Sequence, residues 1–162
     1  MYEWEKWLRC GCRPGEFPRL QELYIIHCPK LTGKLPKQLR CLQKLEIDGC
    51  PQLLVASLKV PAISELVMRN FGKLRLKRPA SGFTALQTSY IEISDVSQLK
   101  QLPIMGCDAV ESLVENRILQ TNLSDLKFSR CCFSRSLEKC DLSSTLQSLD
   151  ISYCNKVEFL LP

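Results

Sequence analysis

The 162-residue chain has a single histidine, His27. A Ser-His-Asp or Cys-His arrangement has only that imidazole to draw on, with no evident serine or cysteine nucleophile on a tight turn, so catalysis is not expected. The shortage also bears on metals. Cys-x-Cys at 10–12 and the adjacent Cys131 and Cys132 do not reproduce the paired C-x2-C spacing of a structural zinc site. Neither G-x-x-x-x-G-K-[ST] nor G-x-G-x-x-G occurs, which leaves no phosphate-cradling loop. No apolar run approaches the roughly 18 residues of a membrane-spanning helix. The opening MYEWEKWLRCGC carries acidic residues and tryptophans where a secretory leader has a basic and then an apolar segment. These absences lead to the expectation of a non-enzymatic chain with no metal, cofactor or membrane partner, located in the cytoplasm or nucleus.

The net charge of +5 is mild. Two basic stretches stand out: Lys73 to Pro79 (KLRLKRP), and the series Lys30, Lys34, Lys37, Arg40 and Lys44. Neither combines its charge with the stacking aromatics of a nucleic-acid face, so both read as solvated surface. Lys73, Arg75 and Lys77 alternate with Leu74 and Leu76, which suits a half-buried extended segment. Asn122-Leu-Ser124 is a single glycosylation sequon, relevant only to a secreted chain.

What the chain has in quantity is a recurring phrase. LQELYIIHCPKL (Leu20 to Leu31) and LQKLEIDGCPQL (Leu42 to Leu53) superpose residue for residue. LSDLKFSRC (Leu123 to Cys131) and LQSLDISYC (Leu146 to Cys154) share the skeleton, and ISELVMRNF (Ile63 to Phe71) and TSYIEISDV (Thr88 to Val96) are looser copies. Aligned on Leu23, Leu45, Leu66, Ile91, Leu126 and Leu149, the steps are 22, 21, 25, 35 and 23 residues. L-x-x-L-x-L-x-x-N/C-x-L at such a period is the leucine-rich repeat. The expected fold is one solenoid domain over residues 1–162, with short parallel strands on a concave face. Irregular turns and short 3₁₀ segments are expected on the convex side, with little α-helix. Cys107 also resembles the end of a repeat, yet Val96 and Cys107 are only 11 residues apart, so a break is expected around 100–118.

The repeat assigns most of the cysteines. Cys28, Cys50, Phe71, Val96, Cys131 and Cys154 fall at the N/C turn position after each strand, where a small thiol packs between coils and offers a weak S–H donor. Reduced, buried thiols are expected there. The outward positions form lanes on the concave sheet: Glu22, Tyr24, Ile26; Lys44, Glu46, Asp48; Glu65, Val67, Arg69; Tyr90, Glu92, Ser94; Asp125, Lys127, Ser129; and Ser148, Asp150, Ser152. Seven of these are acidic and three basic, so the lanes carry −4 and the remainder +9. A solvated sheet with weak cross-strand ion pairs accounts for such lanes; a protein-recognition surface with an acidic bias accounts for them too, and is the favoured reading.

The phrase F-P-x-L-x-x-L-x-I-x-x-C-P-x-L (Phe17 to Leu31), the preceding Trp4 and Trp7, and the closing run from Leu146 to Pro162 resemble the C-terminal leucine-rich repeats of plant nucleotide-binding disease-resistance proteins of the coiled-coil class. The resemblance covers essentially the whole chain. It implies an intracellular immune-receptor module that recognises a pathogen effector or a guarded host protein and contacts a nucleotide-binding domain to hold it inactive. ADP or ATP would occupy that separate domain, and the chain reads as a fragment. LTGKLP (Leu31 to Pro36) prompts an alternative, an extracellular leucine-rich-repeat receptor or inhibitor binding a protein or peptide, but the turn occurs once. A substrate-binding repeat domain of the F-box type would need a helix in each repeat, which these short connections do not favour.

Overall fold

Alternate side chains of an extended chain point to opposite sides, so each apolar-x-apolar core of the repeat can bury one side only by pairing with its neighbours. The computed structural model describes residues 5–7, 17–33, 35–36, 38–53, 55–71, 73–76, 90–94, 98–107, 109–111, 122–132 and 144–155. Its strands are β1 (Lys6–Trp7), β2 (Glu22–Ile26), β3 (Thr32–Gly33), β4 (Lys44–Asp48), β5 (Val55–Lys59) and β6 (Glu65–Arg69). They continue with β7 (Lys73–Leu76), β8 (Tyr90–Ser94), β9 (Gln101–Met105), β10 (Ala109–Glu111), β11 (Asp125–Ser129) and β12 (Ser148–Ser152). Among the described residues there is no helix. The molecule is a parallel-strand β-solenoid of the leucine-rich-repeat type.

The main sheet has six strands in the order β2, β4, β6, β9, β11, β12, every pair parallel. Its register aligns the motif's apolar positions: Leu23, Leu45 and Leu66 are successive partners, as are Leu102, Leu126 and Leu149. Leu45, Ile47, Leu66, Met68, Leu102, Ile104, Leu126 and Phe128 point into the core and are at most 2 % exposed. Each such side chain contributes about 1.5–3 kcal/mol relative to exposure. Among the described residues β12 is the outermost strand of the sheet; there Leu149 is 44 % exposed and Leu146, Ile151 and Cys154 are only partly buried.

Part of the return path corrects the expectation of irregular turns and 3₁₀ pieces. Among the described residues β5, β7, β8 and β10 form a second parallel sheet, in the order β5, β8, β7, β10, while β3 in the first return pairs with β1. Leu58 and Val60 of the β5 return segment join the same buried cluster as Leu45 and Ile47. The extended reading of KLRL is realised in β7.

A second correction concerns the fourth rung, expected at Tyr90–Ser94. That segment, β8, pairs with β5 and β7 in the second sheet, and β9 takes the place between β6 and β11. Both segments alternate apolar and polar residues. Only β9 is followed by Gly106 and Cys107, the glycine-thiol turn that ends β4 as Gly49 and Cys50. Within the expected break, 101–105 forms a rung with all five residues of β9 paired to β11, while 108 and 112–118 lie outside the described residues. Toward β6 the register contains 65–101, 68–104 and 69–105 but neither 66–102 nor 67–103. Pro103 has no N–H to donate at that point.

Every rung closes with the same backbone device. His27, Gly49, Asn70, Gly106, Arg130 and Tyr153 follow the six strands, and all have left-handed φ values between 48° and 64°. The first five donate their N–H to the last carbonyl of the next strand: His27 to Asp48 at 2.8 Å, Gly49 to Arg69 at 3.1 Å, Asn70 to Met105 at 2.8 Å, Gly106 to Ser129 at 2.8 Å, and Arg130 to Ser152 at 3.0 Å. A Cβ added at Gly106 would lie 2.8 Å from Asn70 Oδ1. Gly106→Ala is expected to cost about 1–2 kcal/mol from the left-handed conformation, in addition to displacing the Asn70 side chain. Denaturant unfolding of the variant measures the loss.

Candidate protein-recognition face

The side of the main sheet opposite the core presents three lanes. The first holds Glu22, Lys44, Glu65, Gln101, Asp125 and Ser148; the second Tyr24, Glu46, Val67, Pro103, Lys127 and Asp150; the third Ile26, Asp48, Arg69, Met105, Ser129 and Ser152. Eleven of the thirteen residues expected on this face are on it. Tyr90 and Glu92 are not, since their strand is in the second sheet. Gln101, Pro103 and Met105 replace them, in a segment (LKQLPIMGC, residues 99–107) that fits L-x-x-L-x-I-x-x-C throughout.

Ion pairs cross from strand to strand. Lys44 Nζ is 2.9 Å from Glu65, Lys127 Nζ is 2.6 Å from Asp150, and Arg69 pairs with Glu46. Exposed pairs of this kind contribute up to about 1 kcal/mol each, so they fix side-chain positions more than they stabilise the fold. Lys44 also lies 5.7 Å from the centre of the Tyr24 ring. The Tyr24 hydroxyl donates to Glu22 Oε2 at 2.8 Å, and that bond raises the phenol's pKa above 10.0. The bond to Glu65 likewise raises the Lys44 pKa. Asn70 Nδ2 donates to Asp48 Oδ1 at 2.8 Å. In the middle of the sheet Val67 is buried beside half-buried Pro103 and Met105, while Tyr24 and Ile26 are 45 % and 41 % exposed at the β2 edge.

Behind the strand ends runs the cysteine column. Cys28, Cys50, Phe71, Cys107 and Cys131 are buried at the turn position, and Cys154 is partly buried at the end of the stack. Cys107 takes the place expected for Val96, which lies outside the described residues. The thiols act as donors: Cys50 Sγ is 3.3 Å from Asp48 O and 3.5 Å from Ile25 O, and Cys131 Sγ is 3.4 Å from Ser129 O and 3.5 Å from Ile104 O. Each thus ties its own turn to the preceding coil. Burial pushes the Cys50 and Cys154 thiols up. The Cys107 thiol draws Cys131 down. A Cys131 thiolate, however, would face two carbonyl oxygens in a buried site, so the neutral donor is the form this geometry accommodates. The seven described cysteines are thiols outside any disulfide, and among the described residues no His/Cys/Asp/Glu cluster is placed to hold a metal ion. Thiol alkylation of the native chain, followed by peptide mass spectrometry, should label exposed Cys41 and Cys132 rapidly. Cys28, Cys50, Cys107 and Cys131 should resist until denaturant is added.

Fold and face together define a leucine-rich-repeat-type solenoid with one open parallel sheet. The chain is similar to a protein of Arabidopsis thaliana described as an RPP13-like disease resistance protein, with 28 % identity over 157 residues. The match covers 94 % of this chain and 14 % of that protein, so the chain spans a small part of its relative's length. At that identity the relationship is distant, but it extends over nearly the whole solenoid. No family model and no solved structure matches the chain.

Proposed function

We propose that the chain is the recognition and regulatory repeat module of an intracellular plant immune receptor. Its concave face binds a pathogen effector or a guarded host protein, and it contacts a nucleotide-binding domain that it helps to keep inactive. The module is non-enzymatic and has no cofactor; ADP or ATP belongs to the nucleotide-binding domain of such receptors. The observation that supports this reading best is the continuous six-stranded face, with a half-exposed apolar centre among fixed ion pairs. A small apolar centre inside a charged surround is the general anatomy of a protein interface. Similarity to a disease resistance protein over 94 % of the chain gives the biological direction. Buried, stacked thiols among the described cysteines agree with a reducing compartment and so favour this reading over an extracellular receptor.

A split-reporter assay in plant cells tests the proposal, with the chain as bait against pathogen-secreted proteins and plant nucleotide-binding domains. Association should be lost in Tyr24→Ala and Met105→Asp. It should persist in Lys30→Ala and Arg40→Ala, which alter exposed side chains away from the lanes. Partners that bind both pairs of variants equally would contradict recognition by the concave face.

A further inference from the structure

The corrected lanes carry six carboxylates (Glu22, Glu46, Asp48, Glu65, Asp125, Asp150) and three cations (Lys44, Arg69, Lys127). The face is therefore −3, and since the whole chain is +5 the remainder is +8. The distribution matters more than the total. All three cations are already paired, Lys44 with Glu65, Arg69 with Glu46 and Lys127 with Asp150. The surplus carboxylates are Glu22, Asp48 and Asp125. Among the described residues they take only neutral donors: the Tyr24 hydroxyl on Glu22, the Asn70 amide on Asp48 and the Ser124 hydroxyl on Asp125. A neutral donor orients a carboxylate without cancelling its charge.

Their placement has a pattern. Glu22 and Asp48 lie on the first two strands of the sheet and Asp125 on the fifth, with Pro103 and Met105 on β9 between them. Asp48 and Asp125 are three strand spacings apart across the sheet, about 14 Å, and four residues apart along it, about 13 Å, so they sit on a diagonal of about 20 Å. A cation inserted into this face meets an oriented, unneutralised carboxylate on either side of an apolar centre. Among the described residues of the lanes, an anion meets three surplus charges of its own sign and no cation that is not already paired.

We infer that the concave face recognises a cationic protein segment, one whose Lys or Arg residues flank an apolar side chain seated on Pro103 and Met105. This rests on the recognition role proposed above and specifies the chemistry of the partner. Glu22, Asp48 and Asp125 set the sign preference; the ion pairs hold the surface around them. The basic remainder of the chain sharpens the test, because non-specific attraction to that surface would select an anionic peptide.

The experiment uses the 162-residue chain and three short fluorescent peptides of one apolar pattern, their charged positions filled by Arg, Gln or Glu. Fluorescence anisotropy should show the Arg peptide binding about tenfold tighter than the Gln peptide, the Glu peptide weakest, and the Arg preference shrinking as salt rises. The triple variant Glu22→Gln, Asp48→Asn, Asp125→Asn keeps side-chain shape and all three ion pairs, and it should bind the Arg and Gln peptides alike. Equal binding of Arg and Glu peptides to the native chain, or an Arg preference undiminished in the triple variant, would overturn the inference. If the Arg preference is missing while Tyr24→Ala and Met105→Asp still abolish association with a protein partner, this inference fails and the recognition role stands. If those variants also leave association intact, both fail.

Discussion

Leu126→Ala is expected to destabilise the chain by about 2–5 kcal/mol, and Leu149→Ala by a small fraction of that. The two leucines occupy the same motif position on neighbouring strands and are register partners. Leu126 is 2 % exposed between β9 and β12, so its truncation leaves a cavity that flanking rungs cannot fill. Leu149 is 44 % exposed on the last strand of the sheet, where truncation removes mainly surface that water already reaches. Urea midpoints at constant slope give the comparison. Should the alanine variant fail to fold, Leu126→Met, a volume-conserving change, is expected to fold with a loss below about 1.5 kcal/mol. Equal losses at 126 and 149 would mean that the stack continues over β12 as it does over β11.

Leu102→Asp is expected to abolish the folded state, while Pro103→Asp leaves it intact. Leu102 is fully buried and paired with Leu126, so an aspartate there is a charge in the core with no partner, costing several kcal/mol. Pro103, one residue on, faces the opposite side and is half-buried on the concave surface. Because side chains alternate with period two, this single step separates the two outcomes only if Gln101–Met105 is a rung of the main sheet. Far-ultraviolet circular dichroism and the cooperativity of urea unfolding read the difference. Tolerance of aspartate at 102 would restore the register in which Tyr90–Ser94 is the fourth rung.

Which rungs the amino-acid pattern marks, and which it hides, has physical causes. Five rungs are legible because Leu23, Leu45, Leu66, Leu126 and Leu149 each open the same short phrase, which ends in a Cys or Phe that is buried in all but the last rung. The fourth was misplaced because Pro103 interrupts what is otherwise a complete motif, and proline is rare in an inner strand. Tyr90–Ser94 offered cleaner alternation nearby. Alternation alone does not say which sheet a strand enters; the Gly106-Cys107 turn does, by supplying the positive φ that each rung uses and the thiol that every rung but that of Phe71 uses. Of the second sheet, Lys73–Leu76 is legible from its alternation, whereas Val55–Lys59 and Ala109–Glu111 carry no motif. Of the recognition face, the lane members could be read from the repeat. The pairing that leaves Glu22, Asp48 and Asp125 as the surplus depends on which side chains meet across strands, as where Arg69 reaches Glu46, and on the true fourth rung.

One measurement bears most directly on the continuous six-strand stack. Residue-resolved amide hydrogen exchange should find the N–H groups of Gly49, Asn70, Gly106 and Arg130 protected to a similar degree, since each closes a rung onto the next strand. Protection at Asn70 and Gly106 is decisive, because those two bonds join β6 to β9 and β9 to β11. Fast exchange at both, with protection retained at Gly49 and Arg130, would contradict the account by showing two separate stacks where it requires one.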